Sequence, residues 1–151
     1  MDNIWKGKSV IIVDDMVKVR REFEQVYKDF GFTVVGMAGD GIEALELLET
    51  VKPDLISIDI IMPKMDGIEF FQRVQTNLVT KDYNPKYLFI SYLSSEPQVI
   101  EAYKNQIDER LFIPKYFTKE LLKERLEFIF DHPTLPPIAA EEESQQPAQS
   151  T

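Results

Sequence analysis

Two short apolar runs in this chain stop abruptly on carboxylates. Ser9-Val10-Ile11-Ile12-Val13 halts at Asp14-Asp15, and Leu55-Ile56-Ser57-Ile58 halts at Asp59, after which Pro63 and Gly67 punctuate a loop. Short runs of this kind, bounded by turn signals, read as strands buried on both faces. Such strands need apolar cover above and below, which an α/β fold supplies by laying helices on both sides of a parallel sheet.

The segments between and beyond these runs have the required pattern. Val19, Phe23, Val26, Tyr27 and Phe30 form a helical stripe, with Arg20, Arg21, Glu22, Glu24 and Lys28 on the wet side and Gly31 as the terminator. Thr33 to Ala38 reads as a second strand. Asp40 caps a second helix in a capping box with Glu43; its stripe is Ile42, Leu45, Leu48 and Leu47, and Lys52-Pro53 closes it. A third helix runs from Ile68 to about Asn77, with Phe70 or Phe71 and Val74 turned inward. Leu78 to Lys86 reads as a loop, Tyr87 to Tyr92 as a fourth strand, and Pro97 to about Ile107 as a fourth helix. Leu111 to Pro114 is a short fifth strand, and Thr118 caps a last helix with the stripe Leu121, Leu122, Leu126, Ile129 and Phe130. The expected fold is α/β: a doubly wound, five-stranded parallel sheet of order 2-1-3-4-5 with five helices, Pro114 fitting its edge strand.

The chain has 151 residues, no cysteine and a net charge of -9. Disulfides and thiolate metal sites are thereby excluded. Residues 131–151 hold four prolines and a Glu141–Glu143 triplet with no Lys or Arg, a composition that reads as a disordered acidic tail after a domain spanning 1–130. Without Asp131 and the triplet, 22 acidic residues face 17 basic ones, a balance that argues against nucleic-acid binding. No stretch is long and apolar enough to insert in a membrane, and the amino terminus lacks a secretory segment, so a cytoplasmic location is expected. His132, just before Pro133, reads as a linker residue.

In a parallel sheet all strand ends meet at one rim. That rim would collect Asp14 and Asp15 after the first strand, Asp59 at the third, Ser91 at the fourth and Lys115 after the fifth. Carboxylates crowded together repel unless a cation intervenes, and oxygen ligands suit Mg²⁺. The chemistry this implies is phosphoryl transfer to Asp59 as nucleophile, with Mg²⁺ on Asp15 and Asp59, Lys115 as a counter-charge and the Ser91 hydroxyl as a hydrogen-bond donor.

The motifs Val13-Asp14-Asp15, Asp59 to Gly67, Ser91 and Lys115-Tyr116-Phe117-Thr118 together resemble a response-regulator receiver domain. They are most similar to the single-domain chemotaxis (CheY-like) type with its flavodoxin-like fold; Arg20-Arg21 is also similar to that type's first helix. The resemblance covers about Lys8 to Phe130. It implies a stand-alone regulator of two-component phosphorelay signalling, with chemotaxis or motility as one output. Asp59 takes a phosphoryl group from a histidine kinase, Asp15, Asp59 and the Ile61 carbonyl bind Mg²⁺, and Asp14 assists through water. Ser91 and Phe112 are then the switch pair that repacks the face of the fourth helix, fifth strand and fifth helix for a downstream protein, as a monomer or a phosphorylation-dependent dimer. Such a protein is a switch, not an enzyme beyond its own phosphorylation and dephosphorylation.

Some positions depart from the family pattern. Tyr116 stands where a proline usually follows the lysine, and Tyr92 where a small residue follows the switch hydroxyl. Ile61 and Leu93 occupy places where polar side chains often position the hydrolytic water, so slow self-dephosphorylation is expected. Two other readings compete: a receiver-like docking module that is not phosphorylated, and a Mg²⁺-dependent phosphohydrolase. The latter commonly needs an acid two residues after its nucleophile, where this chain has Ile61.

Overall fold

Residues 4–91 and 107–131 are described by the computed structural model of the chain. In order they form β1 (Ser9–Val13), α1 (Val17–Asp29), β2 (Thr33–Ala38), α2 (Gly41–Leu47), β3 (Leu55–Asp59), α3 (Gly67–Asn77), β4 (Lys86–Ser91), a 3₁₀ turn (Glu109–Leu111), β5 (Phe112–Pro114) and α4 (Lys119–Asp131). The sheet order is β2-β1-β3-β4-β5, the doubly wound arrangement expected. Four α-helices stand among the described residues. The helix expected from Pro97 lies outside them, Ile107 excepted, as do Tyr92, Leu93 and everything from His132 on. The last helix ends at Asp131, one residue into the segment read as tail.

The chain divides into two compact units, Met1–Ile90 and Ser91–Thr151. In the first, every residue of β3 is buried, as is β1 from Val10 to Val13. Their parallel register pairs Val10 with Leu55 and Val13 with Ile58. Helix α1 buries Phe23 and Tyr27 and ends in a tight reversal. Gly31 takes φ 102°, its N–H donates to the Lys28 carbonyl, and the Phe32 N–H donates to the Tyr27 carbonyl. These two bonds make a Schellman motif, which needs a left-handed residue at the Gly31 position. Trp5, whose role the sequence does not announce, is buried against this turn, 5.4 Å from the Phe30 ring and 5.6 Å from the Phe32 ring.

Several expectations need correction. In α2 the buried residues are Gly41, Ala44 and Leu48, whereas Ile42 is 43% exposed. Asp40 and Gly41 set that phase. The Asp40 carboxylate accepts from the Glu43 N–H at 2.9 Å, and a side chain at Gly41 would meet Met65 at 2.9 Å, so this face packs against the β3–α3 loop. The Glu43 carboxylate closes the cap on the Gly39 N–H. The helix stops at Leu47, before Lys52-Pro53, and the chain leaves it through turns at Glu49, Thr50 and Val51. Lys86 is the first residue of β4, not loop, because its N–H donates to the Asp54 carbonyl at 2.9 Å. Phe70 and Phe71 are both buried, Phe71 packing edge-on against Tyr87 and Phe89. Arg20 is not on the wet side: it is half-buried, and its guanidinium donates to the Asp14 carbonyl.

In the second unit Leu111 belongs to the 3₁₀ turn rather than to β5. Arg110 donates from Nε and Nη2 to the two carboxylate oxygens of Asp108, and its guanidinium stacks on Phe128, 4.4 Å from the ring centre. Thr118 caps α4 by accepting from the Leu121 N–H, and Leu122, Leu126 and Ile129 form the buried stripe.

The Asp40 carboxyl is held below its ordinary value of 3.8, first by the Glu43 N–H and then by Lys64. A depressed value means that the ionised cap favours the native state: its contribution is complete above pH 3.8 and disappears as the pH falls through the native value. Asp40→Asn should therefore lower the melting temperature near neutral pH, with the gap to the native chain closing in acid. Equal gaps at both ends of a melting-temperature series against pH would refute the assignment.

Candidate metal centre

The β1–β3 register builds this site. Because Val13 pairs with Ile58, the next residues of the two strands, Asp14 and Asp59, emerge side by side at the carboxyl end of the sheet. Asp15 follows at the exposed start of the β1–α1 turn. One oxygen from each of Asp14, Asp15 and Asp59 lies within 4.8 Å of the others. Asp14 and Asp59 are buried, at 2% and 1% exposure, so water does little to relieve their repulsion.

Backbone groups fix the carboxylates. Asp14 accepts from the Met16 N–H at 2.9 Å, and the Asp14 N–H donates to the Ala38 carbonyl at 3.1 Å. Asp59 accepts from the Ile61 N–H at 3.2 Å. Beyond Asp59 the chain loops out and returns: the Ile60 N–H donates to the Ile90 carbonyl, and the Gly67 N–H donates to the Ile60 carbonyl at 2.7 Å. Gly67 sits so close that a Cβ there would lie 2.4 Å from the Asp59 carbonyl oxygen. Asp66 caps α3 by accepting from the Ile68 and Glu69 N–H groups. Lys64 takes the left-handed φ of 68° that turns the loop, and its ammonium reaches Asp40 at 3.5 Å. The β3–α3 loop is thus tied to the start of α2 by an ion pair and by the close approach of Met65 to Gly41.

Three hard oxygen donors at this spacing fit Mg²⁺, which takes one or two carboxylates and fills its remaining positions with water or phosphate. The expected trio of acids is therefore together. The Ile61 side chain is 46% exposed at the mouth of the site.

The other expected site residues belong to the second unit. Ser91 ends β4 with its side chain buried, and its Oγ has no hydrogen-bond partner among the described residues. Lys115 follows β5, half-buried, its N–H donating to the Ser91 carbonyl at 2.9 Å. The Phe112 ring is buried at 3% exposure, and the Phe112 carbonyl accepts from the Arg125 guanidinium at 3.1 Å. Tyr116 is 82% exposed, and no peptide bond among the described residues is cis.

Next to this site, Arg20 is the residue whose environment the sequence pattern misplaces. The available signal was its position five residues after Asp15, at the end of α1 that faces the carboxylates.

Residues 10–127 match the family described as the response regulator receiver domain. The chemotaxis protein CheY of Listeria monocytogenes is 34% identical over 118 residues, covering 78% of this chain and 94% of that one. CheY of Thermotoga maritima is 34% identical over 120 residues, covering 80% and 95%. Among solved structures, the CheX–CheY–BeF₃–Mg complex of Borrelia burgdorferi aligns with a TM-score of 0.63 at 27% identity, over 83% of this chain and 90% of the matched one. The chain belongs to the response-regulator receiver family.

The close approach at Gly67 gives a direct test of how the β3–α3 loop is held. The obstacle to a Cβ is backbone, which cannot swing aside, so Gly67→Ala should cost about 2 kcal/mol in urea unfolding. A loss within about 0.5 kcal/mol, the range of an ordinary surface change, would show that the loop is not seated on Asp59 as described.

Proposed function

We propose that this receiver domain is a phospho-acceptor switch in two-component signalling, with Asp59 as the acceptor. The observation that carries the reading is the convergence of three carboxylates, two of them buried, at the end of a central strand. An Asp59 oxygen attacks the phosphorus of a kinase phosphohistidine, the P–N bond breaks, and the imidazole leaves with its electron pair while Asp59 becomes an acyl phosphate. Asp15, Asp59 and the Ile61 carbonyl would hold Mg²⁺, with Asp14 acting through water. When bound, the ion neutralises phosphoryl charge. The Ile61 N–H and its 3.2 Å bond orient the Asp59 carboxylate for attack. Lys115 contributes a point charge and Ser91 a hydroxyl to the phosphoryl group, and Ser91 with Phe112 carries the change to a protein-binding face.

Chemotaxis or motility is the output that the CheY relatives favour, and a CheX-type protein illustrates one kind of partner. The donor is a histidine kinase, and the switch works as a monomer or a phosphorylation-dependent dimer. The domain binds proteins rather than nucleic acid or membrane; among the described residues no helix is long and apolar enough to cross a bilayer. A cytoplasmic location and the absence of catalysis beyond its own phosphoryl turnover complete the reading.

Two measurements test it. Incubation with a small phosphodonor and Mg²⁺ should add one phosphoryl group to the native chain and none to Asp59→Asn; labelling of the variant refutes the acceptor assignment. Pull-downs with Mg²⁺ and beryllofluoride should recover partners that Asp59→Asn does not, and identical partner sets would favour the docking module instead.

The Ile61 side chain makes the phosphoryl lifetime a separate prediction. An apolar group at the mouth of the site offers no hydrogen bond to an attacking water, so hydrolysis should take minutes or longer. Ile61→Glu should shorten the lifetime about tenfold, less than the roughly hundredfold or more that a fully positioned general base contributes. A lifetime of seconds in the native chain would contradict the role given to Ile61.

A further inference from the structure

The β3–α3 loop makes its tightest turn at Lys64. The Met65 N–H donates to the Pro63 carbonyl at 2.7 Å, closing a three-residue γ-turn whose central residue, Lys64, has φ 68°. A γ-turn with a positive central φ is the rare, strained form, and glycine is the residue that adopts it without cost. Among the described residues Lys64 is the one non-glycine residue in this region of backbone space. A lysine at a position that suits glycine directs attention to its side chain, and that side chain has a partner. Its ammonium lies 3.5 Å from the buried Asp40 carboxylate. Asp40 is itself fixed, because it accepts from the Glu43 N–H at 2.9 Å. The next residue, Met65, lies so close to Gly41 that a Cβ there would stand 2.9 Å from its Cγ. The tip of the loop therefore has two holds on the start of α2.

The other arm of the same loop reaches the candidate metal centre. Ile61, three residues before Lys64, donates its N–H to the Asp59 carboxylate at 3.2 Å. The base of the loop is closed by the Gly67 N–H on the Ile60 carbonyl at 2.7 Å. With the base closed and the tip held, the segment between them has little freedom, and Ile61 lies in it. We propose that Lys64 is a positioning residue: through Asp40 it holds the strained turn and thereby fixes the Ile61 peptide against Asp59. The metal-binding part of this inference rests on the Mg²⁺ reading of the cluster, in which the Ile61 carbonyl is a ligand. A lysine that acted by its charge alone would work in the opposite direction, since a cation near the acids opposes the binding of another. Positioning predicts that removing the lysine weakens Mg²⁺ binding; charge alone predicts that removal strengthens it.

The test combines exchange of the Ile61 amide with solvent, measured by NMR without metal, and Mg²⁺ affinity measured by calorimetry. Both are read on the full chain and on its Lys64→Met, Lys64→Gly, Lys64→Arg and Asp40→Asn variants. In Lys64→Met the Ile61 amide should exchange about three- to fivefold faster, the scale of losing one part-exposed ion pair. Mg²⁺ should bind it about three- to fivefold more weakly, below what groups directly behind metal ligands contribute. Lys64→Arg, which keeps the charge and the reach, should stay close to the native chain in both readouts. Asp40→Asn keeps the cap of α2 and loses the ion pair, so adding Lys64→Met to it should not speed Ile61 exchange further. Lys64→Gly relieves the backbone: it should unfold at higher urea than Lys64→Met and still exchange the Ile61 amide at least as fast. A merely structural lysine would move stability and Ile61 protection together. Native-like Ile61 exchange in Lys64→Met, or equal or tighter Mg²⁺ binding by it, overturns the proposal. Additive effects of Lys64→Met and Asp40→Asn on exchange overturn it as well. If Lys64→Met does not fold, Lys64→Gly decides by the same readouts. Failure of the native chain to bind Mg²⁺ removes the reading of the site, while Ile61 exchange, read without metal, still decides the positioning role.

Discussion

The pairing of Val13 with Ile58 is the constraint on which the rest depends. Two central strands of a parallel sheet end in step, and the residue that follows each pair is an aspartate. Slipping the register by one residue would turn every apolar side chain of β3 to the opposite face and separate Asp14 from Asp59. Burial of Val10 to Val13 and Leu55 to Ile58 therefore stabilises the fold and also drives two like charges together. The apolar core contributes tens of kcal/mol in gross terms, against which the repulsion of a few carboxylates is tolerable. That repulsion remains localised at the one rim where a cation can relieve it.

What surrounds the aspartates limits their motion. The β3–α3 loop is pinned at Gly67 against the Asp59 backbone and at Met65 and Lys64 against the start of α2. On the other side, Met16, Ala38 and Arg20 engage Asp14 through its carboxylate, its N–H and its carbonyl respectively. Carboxylates held by backbone donors lose little orientational freedom when a ligand binds, which is what the proposed phosphoryl transfer would ask of a site with few catalytic groups.

The strands were legible because their signal is local and redundant. Ser9–Val13, Thr33–Ala38 and Leu55–Asp59 are β-branched or apolar at most positions, and each is bounded by a polar or turn-forming residue. The three clustered acids were legible for the same reason, since a strand end fixes where the next side chain goes. Features that depend on a partner far along the chain were not. The inward face of α2 is set by Met65, more than twenty residues away, so a periodicity reading placed Ile42 inside when the helix turns Gly41 and Ala44 there. Trp5 sits in a short segment without periodicity, and its place comes from the turn after α1, through the rings of Phe30 and Phe32 and the Phe30 carbonyl. Arg20 has the spacing of a solvated residue. Its direction comes from the Asp14 carbonyl, a backbone acceptor invisible to any pattern of side chains.

The proposed switch needs one part that moves and one that does not, and the second unit supplies both properties at one residue. Arg125 ties the Phe112 carbonyl to α4, so the β5 backbone is held by a charged hydrogen bond from the helix beside it. The Phe112 ring is buried, and a packed ring offers discrete rotamers rather than a continuous slide. Ser91 is joined to the same strand through the Lys115 N–H, which fixes its backbone but leaves the hydroxyl to rotate. A signal that recruits the Ser91 hydroxyl thus acts on a side chain whose backbone is already anchored. Its effect can pass to the ring as a change of rotamer, without bending the sheet that keeps Asp14 and Asp59 in register.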